Sequence, residues 1–340
     1  LGVHYIEGGW PGANPKDEEF FTRARTELAL EQSTLVAFGS TRRVGGDAAE
    51  DATLANLLAA ETDVVCIVGK ASAYHVTEAL RTSLDEGVAM VADSVRFLKS
   101  RGRRVFFDAE HFFDGYRDNP EFSMRVLQGA AEAGADCLVL CDTNGGSLPD
   151  QVGATVRDVV SAVDCEVGVH LHNDTGCGVA NALAGVAAGA TQVQGTINGY
   201  GERVGNCDLV PIVANLSLKM GVETLPEGRL AKLTPVAHHV AELVNFAADP
   251  QQPYVGTTAF AHKAGLHTSA IARRRDAYEH VDPESVGNGT RFLVSEMSGR
   301  STIELKADQL GIEMDGETLG EIVETLKELE YAGYHFEVAD

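Results

Sequence analysis

The stretch VGVHLHND, residues 167–174, is an apolar, β-branched run with two histidines near its end. It continues as TGCGVAN, residues 175–181, so the sequence predicts a strand, a turn and then an alanine-rich helix. Side chains two residues apart on a strand point to the same face, so His170 and His172 can converge on one cation. In parallel α/β folds, ligands bind at such strand-to-helix loops. The stretch therefore predicts a parallel α/β fold with a metal site at the strand end.

The loop after the next predicted strand supplies a third candidate ligand. That strand, residues 191–197, is followed by NGYGERVGN, residues 198–206, whose glycines let the loop fold tightly. Asn206 can bring an amide oxygen to the same ion. A mixed nitrogen and oxygen set suits Zn, Mn, Co or Fe(II), and also Mg where waters and substrate oxygens complete it. Without this third group, a pair of histidines is more often structural than metal-binding.

Composition restricts the class of protein. The 340 residues are 44% hydrophobic, enough to fill the core of one large α/β domain and a smaller appendage. The formal net charge of -23 argues against nucleic-acid binding and against an anionic membrane surface, because both need basic patches. The six cysteines form no C-x-x-C pair, and no apolar segment reaches the roughly 18 residues that span a bilayer. We therefore expect a soluble, cytoplasmic protein with reduced thiols.

Short apolar strands alternate with amphipathic or alanine-rich helices along the chain. The predicted strands cover residues 3–7, 34–38, 64–69, 104–109, 137–142, 166–171 and 191–197. The predicted helices cover residues 15–28, 48–60, 75–100, 120–133, 148–162, 178–188 and 208–220. Repeated βα units of this kind predict a parallel sheet.

The predicted architecture is a TIM (β/α)8 barrel, which needs eight βα units. The opening residues LGVHYIE read as a second strand that follows an absent first helix, so we expect the first βα unit to be missing. Residues 1–225 are then predicted to form strands 2–8 of the barrel. After Pro226 the pattern changes to helices separated by polar loops, and a charged helix over residues 316–329 closes the chain. Residues 226–340 are predicted to be a mainly helical linker region.

Sequence blocks at the predicted strand ends resemble those of a known enzyme family. The blocks are HYIEGGWPGANPKDEEFF (4–21), VAFGSTRR (36–43), RRVFFDAEHFFDGY (103–116), LVLCDTNGG (138–146), HLHNDTGCGVANALAG (170–185), QGTINGYGERVGN (194–206), PYVGTTAFAHKAGLH (253–267) and YEHVDP (278–283). Together they resemble the 2-isopropylmalate synthase and homocitrate synthase family of metal-dependent (β/α)8 barrel acyltransferases. The early blocks resemble the citramalate branch of that family, and the block around His170 is highly specific for the group.

The resemblance implies a divalent metal, Mg, Mn or Zn, with His170 and His172 as its histidine ligands. Asn206 matches an asparagine that binds the metal or supports its ligands. The family's remaining ligand is an Asp in an Arg-Asp-Gly motif on the first strand, beside an Arg that binds the keto-acid carboxylate. Neither has a counterpart in these 340 residues, so we expect a complete site to depend on residues before Leu1.

The resemblance also implies roles for four further residues. Glu110 matches a glutamate that positions or activates acetyl-CoA, with a surface carboxylate as the alternative. Thr143 matches a threonine that donates a hydrogen bond to the oxo acid, with a capping or turn role as the alternative. His267 and Tyr278 match a catalytic pair from the linker region, and either can serve as base or acid. Because they follow the barrel by some distance, we expect them to act in trans in a homodimer; outside the family, His267 would be an ordinary cap or core histidine.

The activity that the resemblance implies is a Claisen condensation of acetyl-CoA with pyruvate, which gives citramalate and CoA and leads toward isoleucine. A base takes a methyl proton from acetyl-CoA, the enolate adds to the 2-oxo acid chelated by a divalent metal, and thioester hydrolysis makes the reaction irreversible. Two enzymatic alternatives remain open: a 2-isopropylmalate synthase that uses 2-oxoisovalerate for leucine, and a lyase of the hydroxymethylglutaryl-CoA type. A metal-binding pseudoenzyme or scaffold is the non-enzymatic alternative.

Two neighbouring features have supporting roles. Glu202 and Arg203 are expected to form an ion pair that orders the loop carrying Asn206. His111, which follows Glu110, is expected either to line the pocket or to pack in the protein.

Overall fold

The seven predicted strands are present in the computed structural model of the chain, where they form one parallel sheet. Their bounds are β1 Tyr5–Glu7, β2 Thr34–Ser40, β3 Val64–Lys70, β4 Arg104–Glu110, β5 Cys137–Asp142, β6 Glu166–Leu171 and β7 Gln192–Gln194. Each strand pairs with the next strand along the chain. Such a sequential parallel sheet winds in one direction, as in a TIM barrel, whereas a doubly wound sheet reverses its direction partway. The predicted fold class is confirmed.

The structure describes residues 1–262, 267, 270–271, 273–293 and 299–334. By backbone proximity the chain divides into two units, Gly2–Leu216 and Ser217–Asp340. The seven-stranded sheet belongs to the first of these units. The predicted division into domains at residues 225 and 226 stays a prediction.

Helices connect the strands and begin at recognisable capping residues. Their bounds in the first 219 residues are α1 Pro15–Glu27, α2 Ala52–Ala59, α3 Leu84–Ser100, α4 Phe112–Asp118, α5 Pro120–Glu132, α6 Pro149–Ala162, α7 Gly178–Ala187 and α8 Leu209–Lys219. At the start of α5, the Asn119 side chain accepts a hydrogen bond from the Phe122 backbone N–H at 3.1 Å. Pro120 fills the next position, where a missing N–H costs nothing.

Both faces of the sheet are buried, which explains the near-continuous apolar strands in the sequence. Alternate residues form two separate cores. One core packs against the helices and includes Val65, Ile67, Phe107, Leu138 and Leu140. The other lies on the inside face of the sheet and consists of Val36, Val64, Cys66, Phe106, Cys137 and Val139, with Tyr5 and Phe38 against it. Because side chains alternate along a strand, Asp108 and Glu110 share the inside face with Phe106.

The predicted single helix over residues 75–100 is wrong. A π-helical turn, His75–Ala79, comes first, and α3 begins only at Leu84. Between them Arg81 has a left-handed backbone with φ of 54°, which an α-helix does not accommodate. The Ser83 side chain then accepts a hydrogen bond from the Glu86 backbone N–H at 3.2 Å and starts the new helix.

Two other boundaries differ from the sequence expectation. Helix α4, Phe112–Asp118, was not predicted, because Gly115 and the following Asn-Pro pair indicate a turn. Strand β7 is shorter than predicted, since Asn198 takes a φ of 65° and residues 197–199 form a 3-10 turn. Both differences lie next to the strand ends that carry polar residues.

The second unit is mainly helical, as predicted. Among the residues that the structure describes, its α-helices with stated bounds are α9 Leu233–Leu243, α10 Arg300–Leu310 and α11 Gly316–Tyr331, and its short parallel strands are β8 Ala261–His262 and β9 Arg291–Phe292. Ile303, Leu319 and Val323 form a small buried cluster between α10 and α11. Within the described residues, no helix combines the length and the apolar character needed to cross a membrane.

Candidate active site

Polar side chains collect along the edge where the parallel strands end. In the sheet register, Lys70 of β3 lies beside Glu110 of β4, and Cys141 of β5 lies beside His170 of β6. The carboxyl ends of parallel strands share one edge of the sheet, so the residues that follow them come together there. Two groups of side chains form along this edge.

The first group, which we call the β6 cluster, consists of His170, His172 and Asn206. The rings of the two histidines have centroids 5.4 Å apart and planes inclined by 45°. An imidazole nitrogen holds its lone pair in the ring plane, so two inclined planes can meet at one ion. The structure thus brings the two predicted histidine ligands together on one face.

A β-bridge brings Asn206 beside His172. The two residues are antiparallel partners, flanked by backbone hydrogen bonds of 2.8 and 3.0 Å between their neighbours. Side chains are closest at such a pair, which exchanges no hydrogen bonds of its own. The Asn206 side-chain Nδ2 donates to the Tyr200 carbonyl at 3.2 Å. The amide oxygen of Asn206 is therefore the end that remains for a cation.

The side chains of the β6 cluster fit a divalent cation. His172 is 8% exposed, and its Nδ1 is buried without a hydrogen-bond partner. Burial lowers the pKa of His172, and His170 and Arg203 lower it further, which favours the neutral imidazole that binds metals. No group of three or more His, Cys, Asp and Glu side chains gathers around a metal position among the described residues. Asn206, whose backbone pairs with that of His172, carries an amide oxygen, which is a type of donor that divalent cations accept.

A hydrogen-bonded chain runs from His170 into the inside of the sheet. His170 Nδ1 and Gln194 Oε1 are 2.8 Å apart, and Gln194 Nε2 donates to Asp108 Oδ1 at 2.9 Å. The Cys66 thiol donates to the same Asp108 oxygen at 3.1 Å. Burial raises the pKa of Asp108, whereas His170 and these two hydrogen bonds lower it. The chain gives a 4% exposed carboxylate the donors that a buried acid requires.

The second group, the β4 cluster, consists of Lys70, His75, Glu110 and His111. Lys70 and Glu110 form an ion pair between adjacent strands. The His75 and His111 rings stack with centroids 3.7 Å apart and planes only 9° from parallel. Burial lowers the pKa of both histidines, followed by the charge of Lys70 at His75 and by His75 at His111. The cluster therefore places two neutral imidazoles beside a paired carboxylate.

Thr143, at the end of β5, contacts the β4 cluster. Its hydroxyl oxygen accepts a hydrogen bond from the His111 backbone N–H at 2.8 Å. His111 has a left-handed backbone with φ of 58°, which Thr143 helps to hold. A hydroxyl that accepts one hydrogen bond keeps its proton for another acceptor. Thr143 thus has a turn role in the protein and a donor left for a ligand.

The expected ion pair between Glu202 and Arg203 is present, with 3.7 Å between Arg203 Nη1 and Glu202 Oε2. Arg203 makes two shorter hydrogen bonds, at 2.8 and 2.9 Å, to the Asp174 carboxylate, a partner that the sequence did not predict. The Arg203 guanidinium also donates to the Thr143 carbonyl at 2.8 Å. Arg203 therefore ties together the loops that follow β5, β6 and β7, which carry Thr143, Asp174 and Asn206.

The second unit contains a cluster of its own, the C-terminal cluster of His262, His267, Tyr278 and Glu279. His267 and Tyr278, predicted as a catalytic pair, stack with ring centroids 4.0 Å apart. The His262 ring lies 6.2 Å from that of His267, and its Nε2 is 3.8 Å from Glu279 Oε1. Glu279 is buried and accepts a hydrogen bond from the hydroxyl of Thr290. The structure brings the predicted pair together and adds a histidine and a carboxylate.

Several residues of these groups are not predicted from the sequence: Lys70, His75, Asp108, Gln194, His262 and Glu279. A signal exists for two of them, because Lys70 is a charged residue at the end of an apolar strand and Asp108 directly follows the apolar run Val105–Phe107. Gln194 lies on a short strand of glutamines and valine and carries no such signal.

The chain matches known proteins over its full length. A family model described as HMGL-like matches residues 1–240, and a model described as homocitrate synthase post-HMGL domain-like matches residues 254–333. An (R)-citramalate synthase of Streptomyces coelicolor is 58% identical over 100% of this chain and 64% of its own length. Homocitrate synthase AksA of Methanopyrus kandleri is 32% identical over 97% of this chain and 79% of its own.

Solved structures agree with the fold. The crystal structure of the HMG-CoA lyase of Bacillus subtilis aligns with a TM-score of 0.60 at 20% identity, over 72% of this chain and 83% of that one. The chain spans 64 to 65% of the length of the (R)-citramalate synthases that are 47 to 58% identical to it. The barrel-forming first unit falls within the residues matched by the first family model. The chain belongs to the HMGL-like family.

Proposed function

We propose that this chain is the catalytic part of an acyltransferase that condenses acetyl-CoA with pyruvate to give citramalate and CoA, a step toward isoleucine. One observation carries the proposal: five relatives named (R)-citramalate synthase are 47 to 58% identical over 100% of the chain. Relatives named probable 2-isopropylmalate synthase and homocitrate synthase AksA are 35% and 32% identical, and a further (R)-citramalate synthase, CimA, is 32% identical. We place the enzyme in the cytoplasm.

The reaction needs three proton movements. A base removes a proton from the methyl group of acetyl-CoA, and the carbon that loses it forms a bond to the carbonyl carbon of pyruvate. The carbonyl oxygen becomes an alkoxide and takes up a proton from an acid. Water then attacks the thioester carbonyl carbon, the C–S bond breaks, and the CoA sulfur takes up a proton that the water gives up, which leaves the new carboxylate. The protein must therefore orient two substrates and supply a base and an acid at defined positions.

The β6 cluster is the proposed metal site, with His170, His172 and Asn206 as ligands and Mg, Mn or Zn as the cation. A bound cation supplies Lewis-acid polarisation of the 2-oxo acid carbonyl. The unpaired Nδ1 of His172 and the free amide oxygen of Asn206 support this assignment. Arg203 orders the loop of Asn206 through its two hydrogen bonds to Asp174.

Glu110 is the proposed group that positions or activates acetyl-CoA. Its ion pair with Lys70 holds the carboxylate at the strand end, where the substrate would bind. Thr143 is proposed to donate its hydroxyl proton to the 2-oxo acid, because its oxygen already accepts from the His111 backbone. Both residues lie at the same edge of the sheet as the β6 cluster.

His267 and Tyr278 are the proposed acid and base, delivered in trans by the partner chain of a homodimer. Their stacking, with ring centroids 4.0 Å apart, supports a joint role because it places both proton-carrying groups at one position in the C-terminal cluster. His262 and Glu279 lie on the same cluster and support its geometry.

Substrate preference tests the proposed reaction. We expect the purified protein to release free CoA from acetyl-CoA only with a 2-oxo acid and a divalent cation, and to use pyruvate best. 2-Oxoisovalerate is larger by two methyl groups, and each methyl changes discrimination by about 1–3 kcal/mol. Thiol release measured with each acid gives the preference, and mass spectrometry identifies the product. Equal kcat/KM values for the two acids would contradict the citramalate assignment, and cleavage of hydroxymethylglutaryl-CoA would indicate a lyase.

Complementation tests the action in trans. Glu110→Gln and His267→Ala are inactive separately in this proposal, because each lacks one half of the site. In a dimer of one chain of each variant, with each site completed in trans, one site carries both changes and the other site carries neither. Random pairing makes half of the dimers mixed, so activity should return to about a quarter of the wild-type value. Activity that stays at the level of the separate variants would show that each chain completes its own site.

A further inference from the structure

The inside face of the sheet carries a polar layer directly below the proposed metal site, formed by Cys66, Asp108 and Gln194. We propose that Asp108 and Gln194 are positioning residues that fix the proton of His170 on Nδ1 and so present its Nε2 to the cation. The inference rests on the proposed function only in that the β6 cluster binds a divalent cation. The orientation of the Gln194 side-chain amide decides which ring nitrogen of His170 carries the proton.

Asp108 decides the orientation of the Gln194 amide. The Gln194 amide nitrogen lies 2.9 Å from Asp108 Oδ1, and its oxygen lies 2.8 Å from His170 Nδ1. In the reverse orientation, the amide oxygen would face a carboxylate oxygen, and two acceptors would be in contact inside the protein. The Cys66 Sγ lies 3.1 Å from that same Asp108 oxygen, and a thiol beside a carboxylate oxygen serves as its donor. The amide nitrogen must therefore point to Asp108 and the amide oxygen to His170.

The orientation of the amide determines the tautomer of His170. Gln194 Oε1 can only accept a hydrogen bond, so His170 Nδ1 must carry the proton that it donates. A neutral imidazole has one N–H, which leaves the lone pair on Nε2. Histidines that bind metals commonly donate their other N–H to such an oxygen, and this contact fixes both tautomer and ring direction. The hydrogen-bonded chain thus selects the form of His170 that binds a cation.

The two histidines of the β6 cluster are held by different means. His172 Nδ1 has no hydrogen-bond partner, and its position comes from the backbone bridge to Asn206. His170 has a side-chain support that passes through Gln194 to a buried acid 86 residues earlier in the chain. Changes at Gln194 should therefore alter His170 and leave the position of His172 unchanged.

The test compares Gln194→Met with Gln192→Met. Methionine has a similar length and offers neither the donor nor the acceptor of the glutamine amide. Gln192 is the matched control, because it lies on β7 two residues earlier and contacts Cys137 Sγ at 3.3 Å instead of His170. Nitrogen-15 NMR of the histidine rings in the metal-free protein reports the tautomer, and calorimetric titration with Mn²⁺ and Zn²⁺ gives the dissociation constants.

We expect His170 to carry its proton on Nδ1 in the wild type and in Gln192→Met. In Gln194→Met, we expect a mixture of tautomers and binding of Mn²⁺ weaker by about 10 to 100-fold. A wild-type His170 protonated on Nε2, or a Gln194→Met variant that matches the control in tautomer and affinity, would overturn the inference. So would a wild-type protein that binds neither cation.

A second variant guards against a folding defect. Asp108→Asn keeps the size of the side chain but offers both a donor and an acceptor, so it no longer selects one orientation of Gln194. We expect a mixed tautomer with a smaller loss of Mn²⁺ affinity than in Gln194→Met. Citramalate formation enters neither measurement. If the tautomers are as expected but the wild type forms no citramalate, only the proposed activity is refuted. If the wild type forms citramalate but Gln194→Met has the same His170 tautomer and Mn²⁺ affinity as the wild type, only this inference is refuted.

Discussion

Both the β6 cluster and the β4 cluster contain two neighbouring histidines at strand ends, yet only the β6 rings have the inclination that the proposed metal site requires. The β6 rings are inclined by 45°, whereas the β4 rings lie within 9° of parallel at 3.7 Å. Lone pairs in parallel planes cannot meet at one ion. In the β4 cluster the Glu110 carboxylate is already paired with the Lys70 ammonium, whereas the β6 cluster holds the amide oxygen of Asn206. Ring inclination and the oxygen donor beside the rings, rather than the number of imidazoles, distinguish the two.

Removal of one histidine from each cluster should give the largest difference between the β6 cluster and the β4 cluster in metal binding. We expect His172→Ala to lose both bound metal and detectable turnover, because it deletes a ligand. His75→Ala, the matched change in the β4 cluster, should retain the metal. Metal analysis of the purified proteins and CoA release give the two readouts. Full turnover in His172→Ala, or equal loss of metal from both variants, would remove the distinction.

Neutralisation of Glu110 should reduce catalysis and leave metal binding intact. We expect Glu110→Gln to lower kcat by about 10² to 10⁴-fold, the usual contribution of a positioned acid or base. Glu132→Gln, at an exposed position of α5, is the control for loss of one negative charge. Steady-state kinetics with pyruvate, together with metal content, would test this. A variant with normal kcat would show that Glu110 is only the partner of Lys70.

Arg203 should affect the β6 cluster indirectly and more weakly. Lysine cannot form the paired hydrogen bonds that the guanidinium makes to Asp174, so the loop of Asn206 should loosen in Arg203→Lys. We expect Mn²⁺ affinity to fall by about tenfold and backbone hydrogen exchange to rise in residues 198–206. Arg23→Lys, which replaces an exposed arginine paired with Glu27 on α1, serves as the control. Unchanged exchange in that loop would contradict the role.

The smallest expected effect is on how the free energy of unfolding changes with pH, through the two histidines of the β4 cluster. Burial lowers the pKa of His75 and His111 below the value of about 6.5 in an unfolded chain. The unfolded state then binds more protons, so the free energy of unfolding decreases as the pH falls through and below that value. We expect His75→Phe to lose less stability than the wild type between pH 7 and pH 5, because the variant lacks one of the two histidines that bind a proton on unfolding. The urea concentrations at the unfolding midpoint, measured for both proteins at pH 7 and pH 5, test this. Midpoints that fall by the same amount in His75→Phe and in the wild type would contradict it.

The fold could be predicted largely because both faces of each strand are buried. That burial makes the strands apolar and sets them apart from the polar loops and the helices. The break before α3 was missed although its signal is present, since Ser83 and Glu86 have the spacing of a helix start. Helix α4 had no comparable signal, because Gly115 within it favours a turn.

The residues of the candidate site that lie in short sequence motifs could be predicted. His170, His172 and Asn206 lie in two loops that the sequence marks by histidine spacing and glycines. The supporting residues depend on contacts between distant parts of the chain, and Asp108 and Gln194 are 86 residues apart. No local pattern predicts that pairing, which follows from the order and register of the strands.

The sequential order of the sheet also determines the order in which its strands can pair during synthesis. Because each strand pairs with its predecessor, the sheet can grow while the chain leaves the ribosome. Asp108 is made 86 residues before Gln194, a delay of roughly 4 to 17 seconds at bacterial and eukaryotic rates of translation. During that interval the nascent sheet carries an acidic side chain on its inside face without its amide partner. Translation of β7 therefore completes the interior as well as the edge of the sheet.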